Sequence, residues 1–125
     1  MEGLWNMSDV LGVSKSMKGC IDKLDVLIKL IRPYNNKLAL HKVAYEKAIA
    51  KTIIGLKNGM EYTMGDGFPV INPPTTIVEK IAKGLCWREK LKMDKWEGLV
   101  KGLISNIDCL KAQLNGYQSI NRHLE

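Results

Sequence analysis

An all-α fold is predicted for this chain: a long antiparallel helical hairpin of coiled-coil character, closed by a Gly/Pro-rich connecting loop and oligomeric. Three observations predict it. Two segments, about Leu24 to Thr52 and about Trp96 to Leu124, repeat apolar residues at alternating spacings of three and four. One marked break separates them, Gly65-Asp66-Gly67-Phe68-Pro69 followed by Asn72-Pro73-Pro74. The chain has 125 residues, room for a single domain. Two helices in a chain of that size bury one stripe each, so further copies of the chain are the usual cover for the rest. The expected layout is an arm over residues 1–19, a first helix over 20–58, a loop over 59–75 and a second helix over 76–124.

The elements follow in order. In the arm, Leu4, Trp5, Met7, Val10, Leu11 and Val13 are apolar enough to dock, and Ser8-Asp9 suits the start of a short helix. In the first helix Leu24, Leu27, Ile31, Tyr34, Leu38, His41, Tyr45, Ala48 and Thr52 form a heptad seam, widened by Ile28, Ile49, Ile53 and Leu56. Pro33 interrupts it. The register is the same on both sides, which predicts one continuous, bent helix; the alternative is two helices meeting at Pro33. Lys57-Asn58-Gly59 supplies the stop, with Asn or Gly for a left-handed cap. Asp66-Gly67 between Glu61–Met64 and Phe68–Ile71 permits a small β-hairpin. Phe68, Val70 and Ile71 are apolar enough to predict that this loop packs. Thr76 and Glu79 have the spacing of a capping box, and the helix then runs through Ile81, Leu85, Arg88 and Leu91. From Trp96 the seam is Val100, Leu103, Ile107, Leu110, Leu114, Tyr117 and Leu124, with Asn121 as a polar member.

The net charge is +6. Between Lys15 and Lys57 ten Lys/Arg face three acids, Asp22, Asp25 and Glu46, so the first helix carries most of the positive field. That favours an anionic partner, although a solvated lysine face is the commoner meaning of such a run. Cys20, Cys86 and Cys109 are widely spaced and odd in number, against both a disulfide framework and a zinc site and in favour of a reducing cytosol. No basic, apolar leader opens the chain and no run approaches ~18 apolar residues, so neither a signal peptide nor a membrane span is expected.

No spacing of reactive groups stands out, which predicts a protein that is not an enzyme and has no metal or cofactor. His41 and His123 are the two histidines, and neither has metal-ligand spacing with Cys, Asp or Glu. Cys86 beside Trp87 and Arg88 has the neighbours of an activated thiol, but a buried structural cysteine is the better reading. Gly98-x-x-x-Gly102 permits close helix approach. Trp87 and Trp96, nine residues apart, point in different directions on one helix, which allows one in the core and one at an interface. The best-motivated ligand site is the helix start at Thr75 and Thr76, where free N–H groups and two hydroxyls converge, with Lys80 and Lys83 one turn in and Arg88 beyond.

Ile81-Ala82-Lys83-Gly84-Leu85-Cys86 and the stretch Ala112-Gln113-Leu114-Asn115-Gly116-Tyr117-Gln118-Ser119-Ile120-Asn121-Arg122-His123-Leu124, with Lys29-Leu30-Ile31-Arg32-Pro33-Tyr34, resemble small uncharacterised proteins of bacteriophages and prophages. The resemblance implies a phage setting and the cytoplasm of a bacterial host, and it transfers no site residues. Joined to the charge and the expected oligomer, it suggests a counter-defence protein that sequesters a small anionic signalling nucleotide. The alternatives are a nucleic-acid-binding accessory protein and an inhibitor docked on a host protein.

Overall fold

The computed structural model of the protein describes residues 7–124, with side chains from Asp9 onward. It is all-α apart from one two-stranded ribbon. Helix α1 runs Met7–Lys57, strand β1 Tyr62–Thr63, strand β2 Pro69–Val70, a 3-10 turn Thr75–Ile77, helix α2 Val78–Leu85 and helix α3 Trp87–Leu124. The expected docking of Leu4 and Trp5 lies outside the described residues. The described part of the arm is no arm, because α1 starts at Met7 and continues through Gly12 and Gly19. Each helical glycine costs about 1 kcal/mol against alanine, too little to stop a helix whose apolar stripe is covered. Pro33 lies inside α1, as the unbroken register predicts.

The single domain expected divides into two compact units. A terminal unit combines the chain up to Tyr34 with the chain from Leu99 onward, and a central unit spans Asn35–Gly98. In the terminal unit the seams of α1 and α3 cover one another. Leu24, Leu103 and Ile107 form its buried core, flanked by Leu27, Leu30, Ile31, Tyr34, Leu110 and Leu114. The Cys20 thiol donates to Gln113 Oε1 at 3.8 Å. Cys20 thus faces a residue late in α3 while Leu24 packs with earlier ones, so the two chain directions oppose within this unit.

The central unit is built more elaborately. Gly59, at φ 80, takes the left-handed position after α1. Met60 N–H reaches Gly55 O at 3.0 Å and Gly59 N–H reaches Leu56 O at 3.3 Å, the paired bonds of a Schellman ending. The chain then forms the antiparallel ribbon, with Tyr62 opposite Val70 and Thr63 opposite Pro69. Its turn closes through Gly67 N–H to Met64 O at 2.8 Å, with Gly67 at φ 88 and the Asp66 carboxylate accepting from Phe68 N–H at 3.0 Å. The ribbon lays Val70 against Leu56 of α1 and against Val78 and Ala82 of α2. Ala82 is fully buried and Leu56 is 2% exposed. The loop therefore packs, but through Val70 alone of its expected residues, since Phe68 and Ile71 are exposed.

The second helix also differs from expectation. Pro74 opens a 3-10 turn, Ile77 N–H bonding Pro74 O at 3.0 Å, so Thr76 is already inside helical backbone and is no N-cap. Ile77 takes that place without a side-chain bond, and Glu79 pairs with Lys83 at 3.3 Å instead of capping. Cys86, at φ −92 and ψ 26, separates α2 from α3. Its thiol lies buried, 3.5 Å from Thr52 Oγ1. The Thr52 proton is committed to Ala48 O at 2.7 Å, so the thiol is the donor in the second bond.

Candidate functional site

The first helix brings its seam inward as its spacing requires, which settles several chemical candidates at once. His41 stacks on Trp96, ring centroids 6.3 Å apart and planes 11° from parallel. It is half-buried against the indole. Tyr45 lies under the Lys90 ammonium, 5.8 Å from the ring centroid, and Tyr34 belongs to the core of the terminal unit. Cys86 is a buried thiol, the reading its sequence position favours over an activated one. Gly98 and Gly102 have open space where a Cβ would stand, so no element among the described residues approaches them closely. Among the described residues no group of three His, Cys, Asp or Glu side chains is placed to hold a metal ion.

The five residues expected to bind an anion do not converge. Thr75 and Thr76 are exposed in a single 3-10 turn, which has neither the length nor the aligned N–H groups of a true helix start. Lys80 is exposed, and Lys83 is engaged with Glu79. Arg88 is the exception. It borders a cleft of about 430 Å³ in the central unit, walled by Thr63 and Gly65 of the ribbon, Leu85 at the end of α2, and Trp87 and Glu89 in the first turn of α3.

Local sequence explains the cleft. The helix break at Cys86 turns its own side chain into the core and leaves the next two residues on the outside. Trp87 is 49% exposed for that reason, unusual for a side chain of its size. The Arg88 guanidinium carbon lies 5.3 Å from its ring centroid, within cation–π reach. The Trp87 Nε1 stands 3.7 Å from where a Cβ on Gly65 would sit, so the glycine leaves room beside the indole edge. The cleft thus offers an aromatic face, a guanidinium with five donors, the Thr63 hydroxyl and one carboxylate, Glu89. Gly65 and Thr63 carry no ligand signal in the sequence, and Trp87 is marked there only as one of two tryptophans of which one can lie at an interface. The available signal was Trp-Arg directly after a buried cysteine, opposite a Gly-x-Gly turn.

Beside the cleft, Lys90 donates to Asp94 at 2.9 Å, one helical turn on. That bond, more than the surrounding charges, raises the Lys90 pKa above its ordinary 10.5. No helix among the described residues is long and apolar enough to cross a membrane. No protein-family model, curated protein or solved structure matches the chain.

Proposed function

We propose that this chain is a non-enzymatic binding protein that captures a small anionic nucleotide in the Trp87–Arg88 cleft. The observation that carries the reading is the half-exposed Trp87 indole with the Arg88 guanidinium beside its face, at the mouth of a polar cleft. A base stacks on an exposed indole, and a phosphate pairs bidentately with a guanidinium; such stacking contributes about 1–3 kcal/mol per base. Glu89, on the same wall, adds a carboxylate that accepts from an exocyclic amine or a ribose hydroxyl. The net charge of +6 draws anions toward the chain at long range. The finer reading is a phage counter-defence protein in the cytoplasm of a bacterial host, an antiparallel hairpin assembled as a homo-oligomer that holds its ligand intact. Its support is the resemblance of residues 81–86 and 112–124 to phage proteins, together with the charge.

The test is a calorimetric titration with cyclic di- and trinucleotides and cyclic ADP-ribose isomers, followed by recovery of ligand after heat denaturation. Binding tighter than ~10 µM, lost in Trp87→Ala and in Arg88→Ala and with the ligand recovered unchanged, is the expected result. Absence of such binding across the panel removes the reading. A salt-steep affinity for an oligonucleotide that both variants retain favours the nucleic-acid alternative along the lysines of α1.

A further inference from the structure

The terminal unit carries a second opening, a groove of about 570 Å³ between α1 and α3, walled by Val26, Leu27, Cys109 and Leu110 and edged by Asp22, Lys23 and Asn106. It differs from the Trp87 cleft in being apolar. With Leu24 and Leu27 as seam positions a and d, Lys23 and Val26 fall at g and c. With Ile107 and Leu110 as a and d, Asn106 and Cys109 fall at g and c as well. Both helices therefore present the same flank to the same side. Val26, 61% exposed, stands there as an apolar residue at a position where a two-helix coiled coil keeps polar ones.

We propose that a second copy of this chain seats on this flank, groove against groove, so that two helix pairs complete a four-helix bundle about a two-fold axis. The proposal rests on the homo-oligomer reading above and is independent of the nucleotide. Two arguments select a copy of the chain as the occupant.

The first is area. The chain exposes 9266 Å². A folded monomer of 14.1 kDa exposes about 6700 Å² by the usual scaling of surface with mass, leaving an excess of about 2500 Å². A standard interface needs about 800 Å² per partner, and obligate homodimers use more.

The second argument is charge. The chain as a whole repels its copies at +6, yet the edge of this groove bears one carboxylate and one ammonium at adjacent positions. A two-fold interface is self-complementary: if Asp22 meets Lys23 of the copy, Lys23 meets its Asp22. A partner surface carrying charge of one sign only would satisfy one of the two and oppose the other.

Cysteine chemistry supplies the readout. Cys20 and Cys86 are buried, and Cys109, in the groove wall, is exposed. In sedimentation velocity the full chain is expected to run as a dimer at ~100 µM and to dissociate on dilution, with Cys109 alkylation by a maleimide accelerating on the order of tenfold as it does. Val26→Glu should give a monomer with unchanged helical circular dichroism. Ile28→Glu, on the opposite flank, should leave the dimer intact. Asp22→Lys should weaken association and Asp22→Lys with Lys23→Asp should restore it, which a fold defect cannot imitate. A monomer at every concentration overturns both self-association and this face. A dimer indifferent to Val26→Glu and to the charge swap, with Cys109 alkylated at one rate throughout, keeps self-association and overturns the face.

Discussion

The central and terminal units use the same two helices and reach different degrees of completion. The central unit adds a β-ribbon, a 3-10 turn and α2, and these lay Val70, Val78 and Ala82 over Leu56. Among the described residues the terminal unit has α1 and α3 alone, and its core is the single layer of Leu24, Leu103 and Ile107. What differs is the number of sides from which a seam residue is covered. A two-helix pair covers one side of each seam and leaves both flanks to solvent, whereas a third layer closes one flank from within the chain. The comparison teaches that one heptad pattern can serve a self-sufficient core in one stretch and an open one in the next.

Deleting the same side chain from each core should give the largest difference between the units. Leu56→Ala should cost about 4 kcal/mol, near the upper part of the range for buried leucines, because the ribbon and α2 hold the cavity open. Leu103→Ala should cost about 2 kcal/mol, since the groove-lined unit has room to collapse. Denaturant titration of both variants gives the two numbers. Equal costs would mean that the terminal unit is as tightly enclosed as the central one.

Glycine gives the next largest contrast. Gly55 is buried on α1, and a Cβ there would run into the Tyr62 hydroxyl and ring. Gly55→Ala should therefore destabilise by about 1–3 kcal/mol through overpacking, even though alanine is the better helix former. Gly116, in α3 of the terminal unit, has nothing within 4 Å of its missing Cβ. Gly116→Ala should stabilise by about 1 kcal/mol. Thermal denaturation decides the pair, and a loss of stability at Gly116 would show that something covers that face. Both glycines are helical, and sequence alone marks them as the same weakness. The opposite signs come from Tyr62, a residue of the ribbon, and from the Met60 sulfur 3.2 Å from the same point.

The same reason limits what the sequence shows elsewhere. The seam from Leu24 to Thr52 and the seam from Val100 to Leu124 are legible because periodicity is a one-dimensional signal, and every seam residue is buried or half-buried, although Ile28, expected to widen the first seam, is exposed. The end of α1 at Gly59 and the turn at Asp66-Gly67 are legible because they require a left-handed backbone that glycine supplies. The start of the second helix is not legible, since Thr76 and Glu79 have the spacing of a cap while Pro74 begins a turn that absorbs Thr76. The candidate site was legible only at Arg88. Its other members come together through the ribbon meeting the start of α3, a contact between distant residues that no local spacing encodes. Cys86 appeared as a reactive candidate beside Arg88, and its role as a core thiol depends on Thr52, far away in sequence.

Trp87 tests whether the cleft belongs to the stability of the central unit or to a ligand. Its indole is half outside, so Trp87→Ala should change the denaturation midpoint far less than Leu56→Ala, by about 1 kcal/mol or less. A loss comparable to that of Leu56→Ala would place the indole in the core and remove the physical reason for reading the cleft as a binding site.

The smallest effect is electrostatic and tests the outside of α3 against its inside. Lys90 is exposed, and its hydrogen bond to Asp94 raises its pKa above 10.5. A cation whose pKa rises on folding contributes its stabilisation in full below the unfolded value of 10.5 and loses it as pH climbs through the higher folded value. Lys90→Gln should therefore differ slightly from the parent chain at neutral pH, and the two should converge in strong alkali. One molar salt should produce the same convergence at pH 7, because the pair is open to solvent and screened. The Lys90 ammonium also lies over the Tyr45 ring, 5.8 Å from its centroid. A difference between the two chains that survives both alkali and salt would assign the contribution of Lys90 to that packing over the seam instead of to its charge.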